Sequence, residues 1–271
     1  MKLFFQKIGQ GQPIIILHGL YGSSDNWVTA GRALASRYTV YLVDQRNHGR
    51  SGHSPEHSYA LMADDLYELV SSEKLGKVLL IGHSMGGKTA MLFAALHPER
   101  VSGLVVVDIG PDSYVSLDSY SPQVIGHLNI VNAMLSVDFS KMISRTEIEK
   151  ELAKTITEAP VRQFIMKNVA RNHDNSLSWK LNIDALSKAL PAIMGSIYLE
   201  KVLGEKGIDN FPVIFFKGER SGYISEKQME LIQTYFPKAE IEIIPGAGHW
   251  VQADQPELFM VSLKRFLESI L

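Results

Sequence analysis

The sequence predicts an α/β fold: a mostly parallel central sheet with helices on both faces and an inserted helical segment. Three observations carry this. First, residues 14–17 and 78–81 are short unbroken apolar runs and residues 101–107 a further buried-type run, as expected of strands covered on both faces. Second, helix-period stretches alternate with those runs, the rhythm of parallel strands joined by right-handed crossovers. Third, the rhythm stops between Pro111 and Asn210, where helical patterns continue without a convincing strand, and resumes at Val213. The expected organisation is a core of residues 1–110 and 211–271 carrying a helical cap over residues 111–210.

Taken in order, residues 3–8 read as the first strand, and residues 9–13, with Gly and Pro, as a turn. Residues 14–17 form the second strand. Ser23 or Ser24 can cap a helix over residues 27–37, with Asp25 in its first turn and Arg37 in its last. Residues 39–43 make a strand, and residues 58–72 an amphipathic helix with Leu61, Leu66 and Leu69 near one face. Residues 78–81 and 101–107 are strands flanking a helix over residues 88–96. Inside the insertion, residues 141–159, 160–172 and a stretch from Ile183 to just before Pro191 read as helices. Residues 213–216 and 239–244 are strands, and residues 225–236 and 256–270 helices.

Composition narrows the function. The 271 residues are enough to bury a sizeable core, with 45% hydrophobic and 21% charged residues. A net charge of -2 gives no electrostatic footprint for nucleic acid or an anionic membrane. The absence of cysteine removes disulfides, thiolate metal sites and a cysteine nucleophile. The opening residues have too short an apolar run for a signal peptide, and no run approaches the roughly 20 apolar residues of a membrane span. A cytoplasmic protein without stable membrane association is expected.

The chemistry is concentrated at residues 82–86, Gly-His-Ser-Met-Gly. A G-x-S-x-G sequence between a buried strand and a helix holds its serine on a tight strained turn with the hydroxyl exposed. The helix that follows directs its amides and positive dipole end to the same point. Ser84 is therefore the candidate nucleophile, and the amide of Met85 a candidate oxyanion donor. The stretch His18-Gly19-Leu20-Tyr21-Gly22, at the end of another buried strand, offers the amide of Leu20 as the second donor. A serine is a poor nucleophile without a base, and His249 in the glycine-flanked loop 246–250 follows the last strand, where residues past parallel strand ends gather along one edge. Residues 45–57 contain His48, His53 and His57, but without an acidic or thiolate partner at metal-ligand spacing they read as a hydrogen-bonded loop. No metal and no organic cofactor is expected.

Together HGLYGSSDNW, DQRNHGRSG, GHSMGG and GAGHW resemble the α/β-hydrolase fold family, matching its oxyanion loop, post-strand loop, nucleophile elbow and histidine loop across the whole sheet domain. Within the insertion, VRQFIMKNVAR and SWKLNIDAL resemble the YbfF-type bacterial esterases. One departure matters: Ser221 stands where many family members place the triad aspartate. The resemblance implies Asp108, directly after the strand at residues 101–107, as the acid, with Glu219 as the nearby alternative and Asp44 bracing its own loop. Ser221 can then join the histidine and the acid as a fourth member.

The resemblance implies a carboxylesterase-type serine hydrolase cleaving small-molecule esters of short to medium acyl chain through an acyl-enzyme. An acyl-CoA thioesterase or a cofactor-free perhydrolase would use the same residues, and a non-catalytic ligand receptor would keep only the pocket. CoA phosphates need a basic cluster, for which Arg46 and Arg50 are the candidates. Tyr21, His83 and Trp250, beside the motif residues, join Phe164, Met166 and Trp179 of the insertion as candidate substrate contacts.

Overall fold

The computed structural model describes residues 1–115, 121–204 and 206–270. Residues 116–120 and 205 of the expected insertion therefore lie outside the described residues.

A seven-stranded sheet is ordered β1-β3-β2-β4-β5-β8-β9. Its strands are β1 (Phe4–Gly9), β2 (Gln12–Leu17), β3 (Tyr38–Asp44), β4 (Val78–His83), β5 (Val101–Val107), β8 (Val213–Gly218) and β9 (Glu240–Ile244). Every neighbouring pair is parallel except β1 with β3, which are antiparallel with Phe4 opposite Asp44. A single antiparallel edge strand on a parallel sheet is a common finish for such folds.

Alternation along each strand divides the interior into two layers. Ile14, Ile16, Leu79 and Ile81 point to one face, where Leu34 of α1 (Val28–Leu34) and Phe259, Leu263 and Phe266 of α11 (Pro256–Ile270) cover them. Ile15, Leu17 and Leu80 point to the other, beneath α2 (Tyr59–Ser72) and α3 (Met85–Leu96), through Leu66, Ala90 and Phe93. Burying one such side chain contributes roughly 1.5–3 kcal/mol before conformational entropy is counted. The helix expected over residues 27–37 is shorter, a 3-10 turn at Ser24–Trp27 leading into α1.

Between β5 and β8 the chain forms α4 (Pro122–Leu135), α5 (Arg145–Leu152), α6 (Ala159–Met166), β6 (Val169–Arg171), β7 (Leu177–Trp179), α7 (Ile183–Met194) and α8 (Leu199–Leu203). Val131, Ile148, Leu152, Ile165 and Leu186 of this segment share the apolar cluster of the α2 and α3 face. The expected helix over residues 160–172 stops at Met166, because Val169–Arg171 pairs antiparallel with Leu177–Trp179. The turn between them is built by Asp174, whose Oδ1 accepts from Ser176 N at 3.0 Å, and by Asn175 at φ 66°. The expected helix over residues 141–159 is confined to α5, capped by Ser144. Pro191 does not end α7, which continues to Met194. Helix α4 was not anticipated; Ser121 caps it by accepting from Val124 N at 3.3 Å, with Pro122 in its first turn.

β9 is followed, after the 246–250 loop, by the short α10 (Val251–Asp254) and then α11. α9 (Glu226–Tyr235) lies between β8 and β9. The carboxyl ends of β2, β4, β5 and β8 open toward one edge of the sheet, where the site is assembled.

Candidate active site

The turn from β4 into α3 holds Ser84 at φ 53° and ψ -119°, a region that side-chain-bearing residues rarely adopt and that stores strain at functional sites. The turn closes only because its glycines have no β-carbon. One at Gly82 would overlap the carbonyl of Gly86, and one at Gly86 would overlap the carbonyls of Leu17 and His18. Ser84 N donates to Val107 O at 3.0 Å, and Lys88 N donates to Ser84 O at 3.0 Å. The first amides of α3, Met85 among them, have no intrahelical acceptor and face the serine end of the helix.

His249 reaches Ser84 from the loop after β9, with Nε2 3.0 Å from Oγ. Its Nδ1 lies 2.8 Å from Asp108 Oδ2. Asp108 follows β5 directly, is fully buried, and takes φ 52°. Its Oδ1 accepts from Gly218 N at 2.9 Å, and Ser221 Oγ donates to the same Oδ2 that meets His249. Of the three carboxylates considered from sequence, Asp108 alone touches the imidazole. Glu219 is exposed and accepts from Gly246 N at 2.8 Å. Asp44 accepts from Ser24 N at 2.6 Å and Arg50 N at 2.8 Å, bracing its own loops.

The loop after β2 lies against the nucleophile. A β-carbon on Gly19 would stand 3.2 Å from Ser84 Cβ. Buried neighbours hold this loop from behind. His18 Nδ1 donates to Gly19 O at 2.9 Å, its Nε2 accepts from Gln45 N at 3.0 Å, and Gln45 Nε2 donates to His18 O at 2.6 Å. Burial lowers the His18 pKa, which keeps one ring nitrogen free to accept. His48 accepts from Tyr21 N at 3.3 Å and donates to Arg46 O at 2.8 Å. Residues 45–57 are thus a hydrogen-bonded brace, with His57 against Asn47 and His53 against Lys180 O. Arg46 is buried in a two-pronged bond to Asp65 at 2.6 and 2.9 Å, and Arg50 pairs with Asp25 at 3.1 Å. Neither guanidinium is presented as part of a phosphate-binding cluster.

Leu20, Ser84 and Met85 border a cavity of about 10 Å³ closed by Tyr59, Tyr114, His127 and Tyr223, space for about one water. The candidate substrate contacts divide around it. Tyr21 is buried beside it, its ring 5.7 Å from that of His127 and its carbonyl accepting from Asn168 Nδ2 at 2.8 Å. Phe164 and Trp250, with rings 5.3 Å apart, line a different and larger cleft of about 550 Å³ alongside Trp27, Lys167 and Met260. The remaining three candidates, His83, Trp179 and Met166, line neither space. His83 does not line the cavity; its Nε2 donates to His249 O at 2.9 Å, and burial pushes its pKa down to about 3. Trp179 is packing: its Nε1 donates to Met134 O at 3.2 Å, and its ring meets Phe139 edge-on at 5.3 Å. Met166 is likewise buried in the apolar cluster. The sequence reading missed Tyr59, Tyr114, His127 and Tyr223. Of these, Tyr223 lies two residues past Ser221.

Comparison with known proteins identifies the fold family. The family model for the alpha/beta hydrolase fold matches residues 12–256, and the chain belongs to that family. Among solved structures, a marine microorganism esterase superposes with a TM-score of 0.91 at 46% identity, covering 98% of this chain and 99% of that one. An sn-1-specific diacylglycerol lipase of Danio rerio is 37% identical over 276 residues, covering 97% of this chain and 81% of the relative. Esterase YbfF of Escherichia coli is 33% identical over 255 residues, covering 94% and 92% respectively.

Proposed function

We propose that this protein is a carboxylesterase that hydrolyses small-molecule esters through an acyl-enzyme on Ser84. The observation that carries the reading is the continuous line from Ser84 Oγ through His249 to buried Asp108, at 3.0 and 2.8 Å. Asp108 accepts a hydrogen bond from Nδ1–H, which keeps the proton on Nδ1 and leaves Nε2 unprotonated, facing the serine. As Ser84 Oγ bonds to the ester carbonyl carbon, its proton passes to Nε2, and the carbonyl electrons move onto oxygen. The amides of Met85 and Leu20 hold that oxyanion, each worth about 3 kcal/mol on the precedent of other hydrolases. Collapse expels the alcohol, which takes the proton from Nε2. Water, deprotonated by the same nitrogen, then releases the acid and restores Ser84. The relatives named above as esterases and a lipase support an ester-cleaving activity.

The reading keeps the short to medium acyl groups expected from sequence, and the buried pairing of Arg46 with Asp65 argues against its use as a CoA-phosphate contact. The reading retains the cytoplasmic location expected from sequence, which cell fractionation tests. Among the described residues, no helix is long and apolar enough to cross a membrane.

Initial rates on p-nitrophenyl acetate, butyrate and laurate beside acetyl-CoA and butyryl-CoA test the substrate class. The reading expects kcat/KM to favour acetate and butyrate over laurate, and both over the thioesters, by at least roughly tenfold. A thioester preference overturns it.

A further inference from the structure

The two hydrogen bonds of His249 fix its nitrogens but leave its ring free to rock about the line joining them. Tyr223 covers one face of that ring. Its ring stacks on the imidazole with centroids 3.8 Å apart and planes 17° from parallel. The His83 ring also flanks His249, at 4.8 Å. Tyr223 is itself held at three points. Tyr114 Oη donates to its carbonyl at 2.7 Å, its amide donates to Ser221 Oγ at 3.3 Å, and its hydroxyl lies 3.0 Å from Nε2 of His127. His127 belongs to α4 of the inserted segment, whereas Tyr223 and His249 belong to loops of the sheet domain.

We propose that Tyr223 is a positioning residue for His249 and that His127 locks it, so that α4 holds the base in line with Ser84. Burial keeps His127 neutral, pushing its pKa down to about 4. A neutral imidazole beside the phenol forms a hydrogen bond without adding a positive charge near His249. The catalytic imidazole becomes positive in the transition state, and the stacked phenol face favours that charge. A base misplaced by a fraction of an ångström loses rate while substrate binding is spared.

This inference rests on the hydrolase reading, and a four-variant series separates the two. Tyr223→Phe keeps the stack but loses the hydroxyl; His127→Leu loses the same hydrogen bond from the other side; the double variant combines them; Tyr223→Leu removes the stack. On p-nitrophenyl acetate, Tyr223→Phe and His127→Leu should each lower kcat roughly fivefold, with no further loss in the double variant. Tyr223→Leu should lower kcat roughly 50-fold with KM within about threefold. Tyr223→Trp, which restores a flat ring, should recover most of that rate. The proposal is overturned if the two single losses multiply in the double variant, if Tyr223→Leu is no worse than Tyr223→Phe, or if the loss lies in KM. Should Tyr223→Leu fail to give a cooperative unfolding transition, Tyr223→Gln makes the same comparison. If the wild-type protein does not turn over the ester and its Ser84 is not labelled by a fluorophosphonate, the hydrolase reading fails first.

Discussion

Replacing Asp108 by Asn changes no volume, and its effect can be worked from the contacts. Asp108 Oδ1 accepts from Gly218 N, while Oδ2 receives both His249 Nδ1 and Ser221 Oγ. An asparagine that keeps the Gly218 bond turns its NH2 toward His249. The imidazole must then accept at Nδ1 and carry its proton on Nε2, where it can no longer take one from Ser84. The flipped amide restores the working tautomer but sets its NH2 against the Gly218 amide in a fully buried place, costing about 1–3 kcal/mol. Even that orientation has lost the anion facing the imidazolium, worth up to about 4 kcal/mol for unit charges 4 Å apart at an effective dielectric of 20. Together the two effects reach at most roughly 7 kcal/mol, enough to contain the 10⁴-fold loss, about 5.5 kcal/mol, known for the equivalent change in a serine protease. Continuous release of p-nitrophenolate measures kcat, and a thermal melt checks that the variant remains folded. A loss below roughly tenfold in a folded variant would refute the role given to Asp108 and return attention to Glu219.

Removing the Ser221 hydroxyl leaves the His249–Asp108 bond intact in ground and transition states alike, so Ser221→Ala should cost only about three- to tenfold in kcat; a loss equal to that of Asp108→Asn would make Ser221 an essential member. Stability should also depend on pH. Burial lowers the pKa of His57 and His127 to about 4 and of His83 to about 3, from 6.5. On acidification the unfolded chain takes up these protons first, so stability present above pH 6.5 is lost as pH falls toward 4, by about 2 kcal/mol per histidine at pH 5. Urea midpoints at pH 7.5 and 5 measure it, and an unchanged midpoint contradicts the buried neutral histidines.

The central sheet was legible because strands buried on both faces are written as apolar runs, and α-helical crossovers as period-3.6 patterns. Ser84 and His249 were legible for a related reason: each sits in a turn whose glycines mark it. Asp108 carries no such mark. It is one carboxylate after one strand, and it meets His249 only because β5 lies beside β8, so Gly218 and Ser221 arrive next to it. His127 lies on an unanticipated helix and reaches the site through tertiary packing. The 169–179 hairpin was lost because three-residue strands are too short to show a period of two. His83, by contrast, could have been placed correctly. It shares the strand face of Leu79 and Ile81, which points to the α1 and α11 layer, away from the layer that the inserted segment joins. The polar loop 45–57 was read as hydrogen-bonded, but its burial was invisible because its residue types are those of a surface.

The central claim is that Ser84 is the nucleophile, and intact-mass measurement after exposure to a fluorophosphonate addresses it directly. One adduct should form on the wild-type protein, map to the peptide containing Ser84, and be absent from Ser84→Ala, which should also lose nearly all ester hydrolysis. An unlabelled wild-type protein, or a Ser84→Ala variant that keeps its ester hydrolysis, would contradict the account.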